Sequence, residues 1–477
     1  PMPRPTPLSG FPEWLPGERV VEQHVLDTLR RTFELHGYVG IETRAVEPLD
    51  QLLRKGETSK EIYVLRRLQE DPDDAPGRHG ESERGLGLHF DLTVPLARYV
   101  LENAGRLTFP FRRYQIQKVW RGERPQDGRF REFVQADIDV IGDGTLAFHH
   151  EVELPLVVAD AFARLAEVGV PPVRILVNNR KVIEGFATGL GLTDVDAVLR
   201  SVDKLDKIGP AAVGELLTAE CGASPTQVAA LLDLASIRGE DATVTGRVRA
   251  LATEHGLADP LLDQGLAELE QLLLAAAERA PGVVTADLKI ARGLDYYTGS
   301  VYETVLVGHE DLGAVCSGGR YDALASDGRV TYPGVGLSVG VSRLVARLLA
   351  IGSVRASRAV PSAVVVAVTA EDSRPQSESV AAALRARGIP AEVAPAAAKF
   401  GKQIRYADRR QVPFVWFPAA PERVREDGSV QAATGHEVKD IRTGDQVMAD
   451  PSTWEPCDED LWPRVVPNTG EQAERST

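Results

Sequence analysis

Cysteine is scarce: Cys221, Cys316 and Cys457 are the only three in 477 residues, far apart and without a CxxC pair. A disulfide framework and a cysteine-based zinc site are therefore not expected. The histidines do not replace them. His149-His150-Glu151 opens an apolar run and reads as a polar helix start, since a zinc helix needs two histidines at helical spacing. No run approaches twenty apolar residues, so no membrane-spanning helix is expected. The segment Pro1–Gly10 is Pro-rich and lacks the apolar centre of a signal peptide, which makes the cytoplasm the expected location. A GxGxxG fingerprint after a strand is missing, and so is a Walker A loop; a nucleotide, if used, sits on another architecture. Positive charge is in deficit, with a net charge of −15 and a pI near 5.2. That excludes a general nucleic-acid coat protein, which needs clustered Lys and Arg, but not an enzyme with a local basic surface.

What is present is a long globular chain with room for several cores. Residues 18–36 carry Val20, Val21, Val25, Leu26, Leu29 and Phe33 at helical spacing, and Gly37 follows as a stop. The segment YVGIETRAVEPLDQLL reads as a strand reaching Pro48. Residues 69–87 are charged and rich in Gly and Pro, a surface-loop composition. A strand and helix follow in LHFDLTVPLARYVLEN. Residues 110–142 read as two antiparallel strands joined by a long Arg-rich loop. Residues 151–168 have a helical period, and 194–280 are strongly helical, as in an insertion. Strand signals return at VYETVLV and at GVGLSVGVSRL, which runs into a helix. After a linker at Ala356–Pro361, AVVVAV, SESVAAALRARG, PAEV, KQIRYADRR and PFVWF alternate as a small β-α-β-α-β domain. Val465–Thr477 reads as a disordered tail.

Four segments carry candidate chemistry. In residues 108–142, Arg121, Arg124, Arg129 and Arg131 lie in and beside one loop, with Glu123 and Glu132 interleaved. Guanidinium forks match phosphate oxygens, and Phe130 and Phe133 offer faces for a base; a solvated charged hairpin is the plainer alternative. Gln135, Asp137 and Asp139 follow at period two, on one face of a strand, as do Asp91 and Thr93 in FDLTVP. Carboxylates so placed suit a cationic substrate group or a metal ion, or else a polar solvent face. In KIARGLDYYTGSVYE, Arg292 precedes Tyr296 and Tyr297, whose hydroxyls can orient a polar ring; an aromatic core face is the alternative. CSGGRYDAL, residues 316–324, pairs two glycines, either for close backbone approach to a ligand or as an ordinary turn. PGVGLSVGVSRL offers a Gly-rich strand on which a flat ligand can lie, ending in Arg343.

Together these segments resemble the class II aminoacyl-tRNA synthetases, and among them the histidyl-tRNA synthetases. Arg121-Gly122-Glu123 with Arg131-Glu132-Phe133 resembles motif 2, PGVGLSVGVSRL motif 3, and HGYVGIETRAVEPLDQLL the motif 1 dimer element. RGLDYYTG and GGRYD are similar to the two halves of the histidine-binding signature. The resemblance covers roughly residues 10–450. It implies an α+β fold: an antiparallel sheet core flanked by helices (10–185 and 283–352), a helical insertion (186–282) and a C-terminal α/β anticodon-binding domain (360–450), with 465–477 as tail. It implies ATP with Mg²⁺, L-histidine and tRNA(His) as ligands, a homodimer, and no membrane.

By position, the resemblance puts Arg121 on the ATP α-phosphate, with Glu123 and Arg129 beside it. Arg343 and Phe133 flank the adenine. Asp91, Thr93 and Gln135 hold the histidine α-amino group. Asp139 and Tyr297 read the imidazole, with Tyr296 and Tyr321 lining the pocket, and Arg292 is the catalytic cation. No protein metal ligand is implied. The chain departs from the pattern at Ser342, where an acidic residue is frequent, and at Asp91, where some members carry Glu. Three other readings stay open. A regulatory paralogue without activity would lack the C-terminal domain and the signature Arg and Tyr. An adenylating enzyme with a different acceptor fits the net acidity. A non-enzymatic RNA-binding module has no use for Arg121, Arg292 and Arg343 together.

Overall fold

The computed structural model describes residues 6–53, 61–66, 85–126, 128–291, 293, 296–326, 328–420, 423–424, 430–431 and 433–468. The chain divides into two compact units, one of residues 1–12 and 25–351, the other of residues 13–24 and 352–477.

The first unit is built on one nine-stranded sheet. Helix α1 (Pro16–Leu35), of which residues 25–35 belong to this unit, buries Val21, Val25, Leu29 and Phe33 at intervals of four residues, the apolar stripe expected from the sequence. The single strand expected to reach Pro48 is instead two pieces: β1 (Val39–Gly40), on the edge of the large sheet, and Val46–Pro48, in a separate small sheet with Val64–Leu65 and Leu86–Leu88. Residues 41–45 between them join neither sheet, which breaks the period-two pattern. The strand at Leu86–Leu88 also corrects the loop reading of 69–87 at its C-terminal end; residues 67–84 lie outside the described residues.

Helix α2 (Thr93–Asn103) precedes β2 (Phe111–Trp120) and β3 (Glu132–Ile141), antiparallel as expected and in register from Phe111 opposite Ile141 to Trp120 opposite Glu132. Helix α3 (His149–Ala166) leads to β4 (Val173–Asn179). The helical stretch that follows comprises α4 (Arg180–Gly189), α5 (Val195–Val202), α6 (Leu205–Cys221), α7 (Pro225–Ser236), α8 (Thr243–Glu254) and α9 (Pro260–Arg279). It contains one short strand, β5 (Arg238–Gly239), at the end of the large sheet. Then come β6 (Val284–Asp287), β7 (Ser300–Leu306), β8 (Cys316–Ser326), β9 (Thr331–Gly340) and α10 (Val341–Ile351). The strand order is β1-β2-β3-β9-β8-β7-β4-β6-β5. The five strands in the middle, from β2 to β7, pair antiparallel. Val173–Asn179, Val284–Asp287 and Cys316–Ser326 escaped the reading of periodicity. The first two are buried along their length, so their sequences do not alternate.

The second unit follows the expected order closely. It holds β10 (Val354–Ala356), β11 (Val364–Val366), α11 (Arg374–Ala386), β12 (Ala391–Val393), α12 (Phe400–Arg409), β13 (Phe414–Phe417), β14 (Glu437–Asp440) and β15 (Gln446–Met448). Its sheet order is β12-β11-β13-β14-β15, parallel through β11 and antiparallel beyond β13. Val364 and Val366 face one apolar cluster with Leu384 and Trp416, and Val365 the other with Ala407 and Phe417. The tail expectation fails at its start: β16 (Val465–Pro467) pairs with β10, while residues 469–477 lie outside the described residues.

Candidate functional site

The site lies on one face of the middle strands of the large sheet. Side chains alternate along β3: Ala136, Ile138 and Val140 are fully buried in the apolar layer, while Phe133, Gln135, Asp137 and Asp139 share the opposite face. Register places Gln117, Gln115 and Arg113 of β2 opposite Gln135, Asp137 and Asp139. On the other side Gly340, Ser338 and Gly336 of β9 lie opposite the same three residues. The result is a buried polar floor. Tyr321 Oη donates to Asp139 Oδ1 at 2.6 Å, and the Arg113 guanidinium is 2.7 Å from Asp139 Oδ2. Gln135 Nε2 donates to Ser338 Oγ at 3.0 Å, and Gln115 Nε2 to Thr43 Oγ1 at 2.9 Å. Arg113 also donates to the Leu92 carbonyl, tying the segment before α2 to the floor. Asp91 is buried there and accepts from Val94 N at 3.0 Å; Thr93 opens the helix.

Two glycines make this floor possible. A Cβ on Gly336 would sit 1.9 Å from Asp139 Oδ1, and one on Gly319 would sit 2.8 Å from the Tyr297 ring. The paired glycines of CSGGRYDAL are thus in a strand, not a turn, and the atoms that approach them closely belong to the protein itself. Tyr296 stacks on Tyr321 with ring centres 5.9 Å apart and lies 4.5 Å from the ring of Tyr297. Burial, with Asp91, Asp139 and Asp137 nearby, pushes the Tyr296 hydroxyl well above its ordinary value. It stays neutral, able both to donate and to accept.

Two adjoining cavities open beside the floor. The first, of about 250 Å³, is lined by Arg121, Glu123, Arg129, Phe130, Phe133, Gln135 and Arg343 among others. The second, of about 440 Å³, shares Arg129, Ala314, Ser317 and Arg343 with the first and reaches Tyr297 and Glu303. Arg121 lies over the Phe133 ring at 5.1 Å, and its Nε donates to the Phe90 carbonyl. Glu123 holds both arginines, 3.8 Å from Arg121 and 3.6 Å from Arg129. Arg343 donates to the Leu312 carbonyl.

Of the four loop arginines, Arg121 and Arg129 line the cavity; Arg131 instead donates to the Glu123 carbonyl, and Arg124 is exposed. Ser342, the departure in motif 3, is buried and accepts from Val134 N at 2.9 Å, pinning α10 to β3. Arg292 lies outside the described residues.

Several contributors were missed by the sequence reading. Arg113, Gln115 and Thr43 form the floor with Asp139, and the polar alternation in FRRYQIQ was the available signal. Glu151, read as part of a polar helix start, is buried. It holds Arg320 at 2.7 Å and accepts from Ser300 N at 3.0 Å. Arg320 binds Asp322 at 3.0 Å, and Asp322 accepts from Thr298. Half of the GGRYD segment is therefore a brace for the chain leaving the tyrosine pair. Among the described residues no cluster of three His, Cys, Asp or Glu side chains forms a metal site, and no helix is long and apolar enough to cross a membrane.

An arginine-lined cavity on the face of an antiparallel sheet, joined to a floor of buried carboxylates, places this unit with the catalytic cores of class II aminoacyl-tRNA synthetases. The family profile described as histidyl-tRNA synthetase matches residues 10–344, and an anticodon-binding-domain profile matches 362–434. The chain belongs to the histidyl-tRNA synthetase family. It is 59% identical to the histidine–tRNA ligase of Micrococcus luteus, over 98% of this chain and 99% of that one. It is 50% identical to that of Thermobifida fusca, over 94% and 98%. The crystal structure of histidyl-tRNA synthetase from Nostoc sp. PCC 7120 superposes with a TM-score of 0.78 at 34% identity, covering 94% of this chain and 97% of that one.

Proposed function

We propose that the chain ligates L-histidine to tRNA(His) through a histidyl-adenylate, consuming ATP and releasing diphosphate and AMP. The observation that carries this reading is the order of side chains along β3. Phe133 and Gln135 line the arginine cavity, and Asp139 lies four residues beyond Gln135 on the same face, under Tyr321. A nucleotide at one end and an imidazole at the other would bring the histidine carboxylate toward the α-phosphate.

In this reading Arg121 neutralises the α-phosphate while Phe133 and Arg343 flank the adenine. Asp91, Thr93 and Gln135 hold the α-ammonium. Asp139 accepts from the imidazole, with Tyr296, Tyr297 and Tyr321 closing the pocket. The carboxylate is ionised at neutral pH and attacks the α-phosphorus without a general base. Its oxygen forms the new P–O bond and diphosphate leaves. Two anions meet, so fixed cations lower the barrier, and Arg292 is assigned that part with Arg121. A terminal ribose hydroxyl of the tRNA then attacks the carbonyl and AMP leaves. Mg²⁺ fits as an ion borne on the phosphates, since such sites need only one or two carboxylates and Glu123 stands beside the arginines; it would neutralise phosphate charge. An apolar amino acid would lack the ring N–H that this reading sets on Asp139, which is the basis of selection. The motif 1 region is assigned to a homodimer contact, the second unit to the anticodon and the cytoplasm as the location.

The test is ATP–diphosphate exchange with each amino acid, followed by tRNA charging. Exchange is expected with histidine alone, and Arg292→Ala is expected to reduce it on the order of a hundredfold or more, as for loss of one transition-state cation. Exchange without charging would point to another acceptor. No exchange from folded protein would favour a regulatory role, for which one structural neighbour offers a precedent in fold only. That protein is titled an ATP phosphoribosyltransferase regulatory subunit/histidyl-tRNA synthetase and is 20% identical with a TM-score of 0.67.

A further inference from the structure

Asp137 stands between Gln135 and Asp139 on the polar face of β3, 3% exposed, and no role above uses it. Its Oδ1 has no hydrogen-bond partner among the described residues. The Oε1 of Gln135, two residues away on the same face, has none either. Two buried acceptors without a donor are costly in a finished core, and they mark a place where a donor is to arrive. Gln135 is already turned by its amide nitrogen, which donates to Ser338, so the oxygen is the end left for a ligand.

The charges around Asp137 say what kind of donor. Arg113 faces it from β2, Asp139 from its own strand and Asp91 from the segment before α2; Ser338 of β9 bonds its carboxyl. Tyr296 and the Cys316 thiol are the other titratable groups near it, and both stay neutral. Three carboxylates thus surround one guanidinium, and that guanidinium is paired to Asp139 at 2.7 Å. A compact cation with several N–H donors would complete this set, and an ammonium has three. Position selects which ammonium. Gln135 lines the arginine cavity and Asp139 lies under Tyr321, so Asp137 falls between the phosphate end and the ring end. Neighbours on one strand face are about 7 Å apart, the scale that separates the α-nitrogen of an amino acid from the far side of its ring.

We infer that Asp137 is a substrate-binding residue: with Gln135 it accepts hydrogen bonds from the α-ammonium of the amino-acid substrate. The assignment rests on the histidine reading above and adds to it a second carboxylate, beside Asp91, at the contact. A consequence concerns protons. Burial pushes the Asp137 carboxyl up to about 7 in the free protein. The ammonium binds the ionised form, so binding releases the proton and acid competes with the substrate.

Steady-state exchange with the full-length protein at varied L-histidine, from pH 6.5 to 8, tests this. The wild type is expected to show a KM for histidine that rises roughly fourfold from pH 8 to pH 6.5 with kcat unchanged, as for one carboxyl titrating near 7. The imidazole of free histidine titrates at the lower edge of that range and adds at most about a factor of two, so the rise beyond that factor is what Asp137 must supply. Asp137→Asn is expected to raise KM at pH 8 by roughly tenfold or more, the worth of one charge-assisted hydrogen bond, and to flatten its pH dependence. Should that variant not fold, the wild-type profile decides alone. An active wild type with a KM independent of pH would overturn the assignment, and so would a folded Asp137→Asn protein with wild-type KM and slope. Absence of histidine-dependent exchange at every pH would instead overturn the proposed function, and this assignment with it.

Discussion

The two largest sheets among the described residues solve the same packing problem in opposite ways. In the second unit both faces of β11 are apolar: Val364, Val365 and Val366 are all fully buried, and Trp416 of β13 closes the layer at 0% exposure. The Trp416 indole donates to His436 Nδ1 at 3.4 Å and packs edge-on against Trp454 at 5.5 Å. In the first unit one face of β3 is equally apolar, but the other buries Gln135, Asp137 and Asp139 against Arg113. Buried ionic groups are weak contributors to stability, and carboxylates in excess of their partners oppose it. The polar face therefore reads as a surface made for a ligand. The apolar sheet is a packing layer between two hydrophobic clusters. In a chain with a net charge of −15, Arg121, Arg129 and Arg343 are nonetheless gathered along one cavity wall.

The sharpest way to break this contrast is at Gly336. The Cβ introduced by Gly336→Ala would overlap Asp139 Oδ1, forcing that carboxylate off Tyr321 and Arg113. Histidine-dependent exchange should fall by two orders of magnitude or more, the scale for losing one group placed for the reaction. Retention of at least a tenth of the wild-type rate would show that the floor is softer than its geometry indicates. In the apolar sheet Trp416→Ala should cost about 3–5 kcal/mol, by lost transfer energy and the cavity left behind. It should lower the unfolding midpoint of the second unit and reduce tRNA charging while exchange in the absence of tRNA persists. A parallel loss of exchange would mean that the two sheets are not independent in function.

A smaller effect of opposite sign is expected from Asp137→Asn in the absence of ligand. The folded protein keeps the Asp137 proton up to about pH 7, whereas the unfolded chain releases it near pH ~4. The native state thus loses stability as pH rises through that window, and the loss is complete by pH 8. The variant should gain on the order of 1–3 kcal/mol in denaturant unfolding at pH 8 and nothing at pH 4. A variant less stable at pH 8 would mean that the ionised carboxylate is already well partnered in the free protein. Greater stability with weaker histidine binding would be the signature of a residue retained for its ligand.

Much of this was legible beforehand because it rests on local pattern. The antiparallel pair β2–β3 follows from alternation on either side of an Arg-rich loop, and the second unit's order of strands and helices from short apolar runs cut by Gly and Pro. Arg121, Arg129, Phe133 and Arg343 were singled out from motif and spacing, and all four line one cavity. Asp139, Tyr296 and Tyr321 were singled out too, and they meet. What failed to show was whatever depends on a partner distant in sequence. Arg113 looked like one more charge in FRRYQIQ, and nothing near it announced a carboxylate 26 positions later on the adjacent strand. Glu151 looked solvent-facing because helix starts usually are, yet Arg320, 169 positions on, holds it inside. Val465–Pro467 looked like a tail because its ladder partner, Val354–Ala356, is more than a hundred positions away.

The sequence by itself therefore determined most of the elements, the family and the types of residue that line the cavity, since periodicity, turn chemistry and motif spacing are properties of neighbouring positions. Only the tertiary structure decided which polar residues are buried and against whom. Pairing across β2, β3, β9 and β8 sets the burial of each charge and whether a glycine has a carboxylate above it. Those distances belong to the register of the sheet, which no single strand contains.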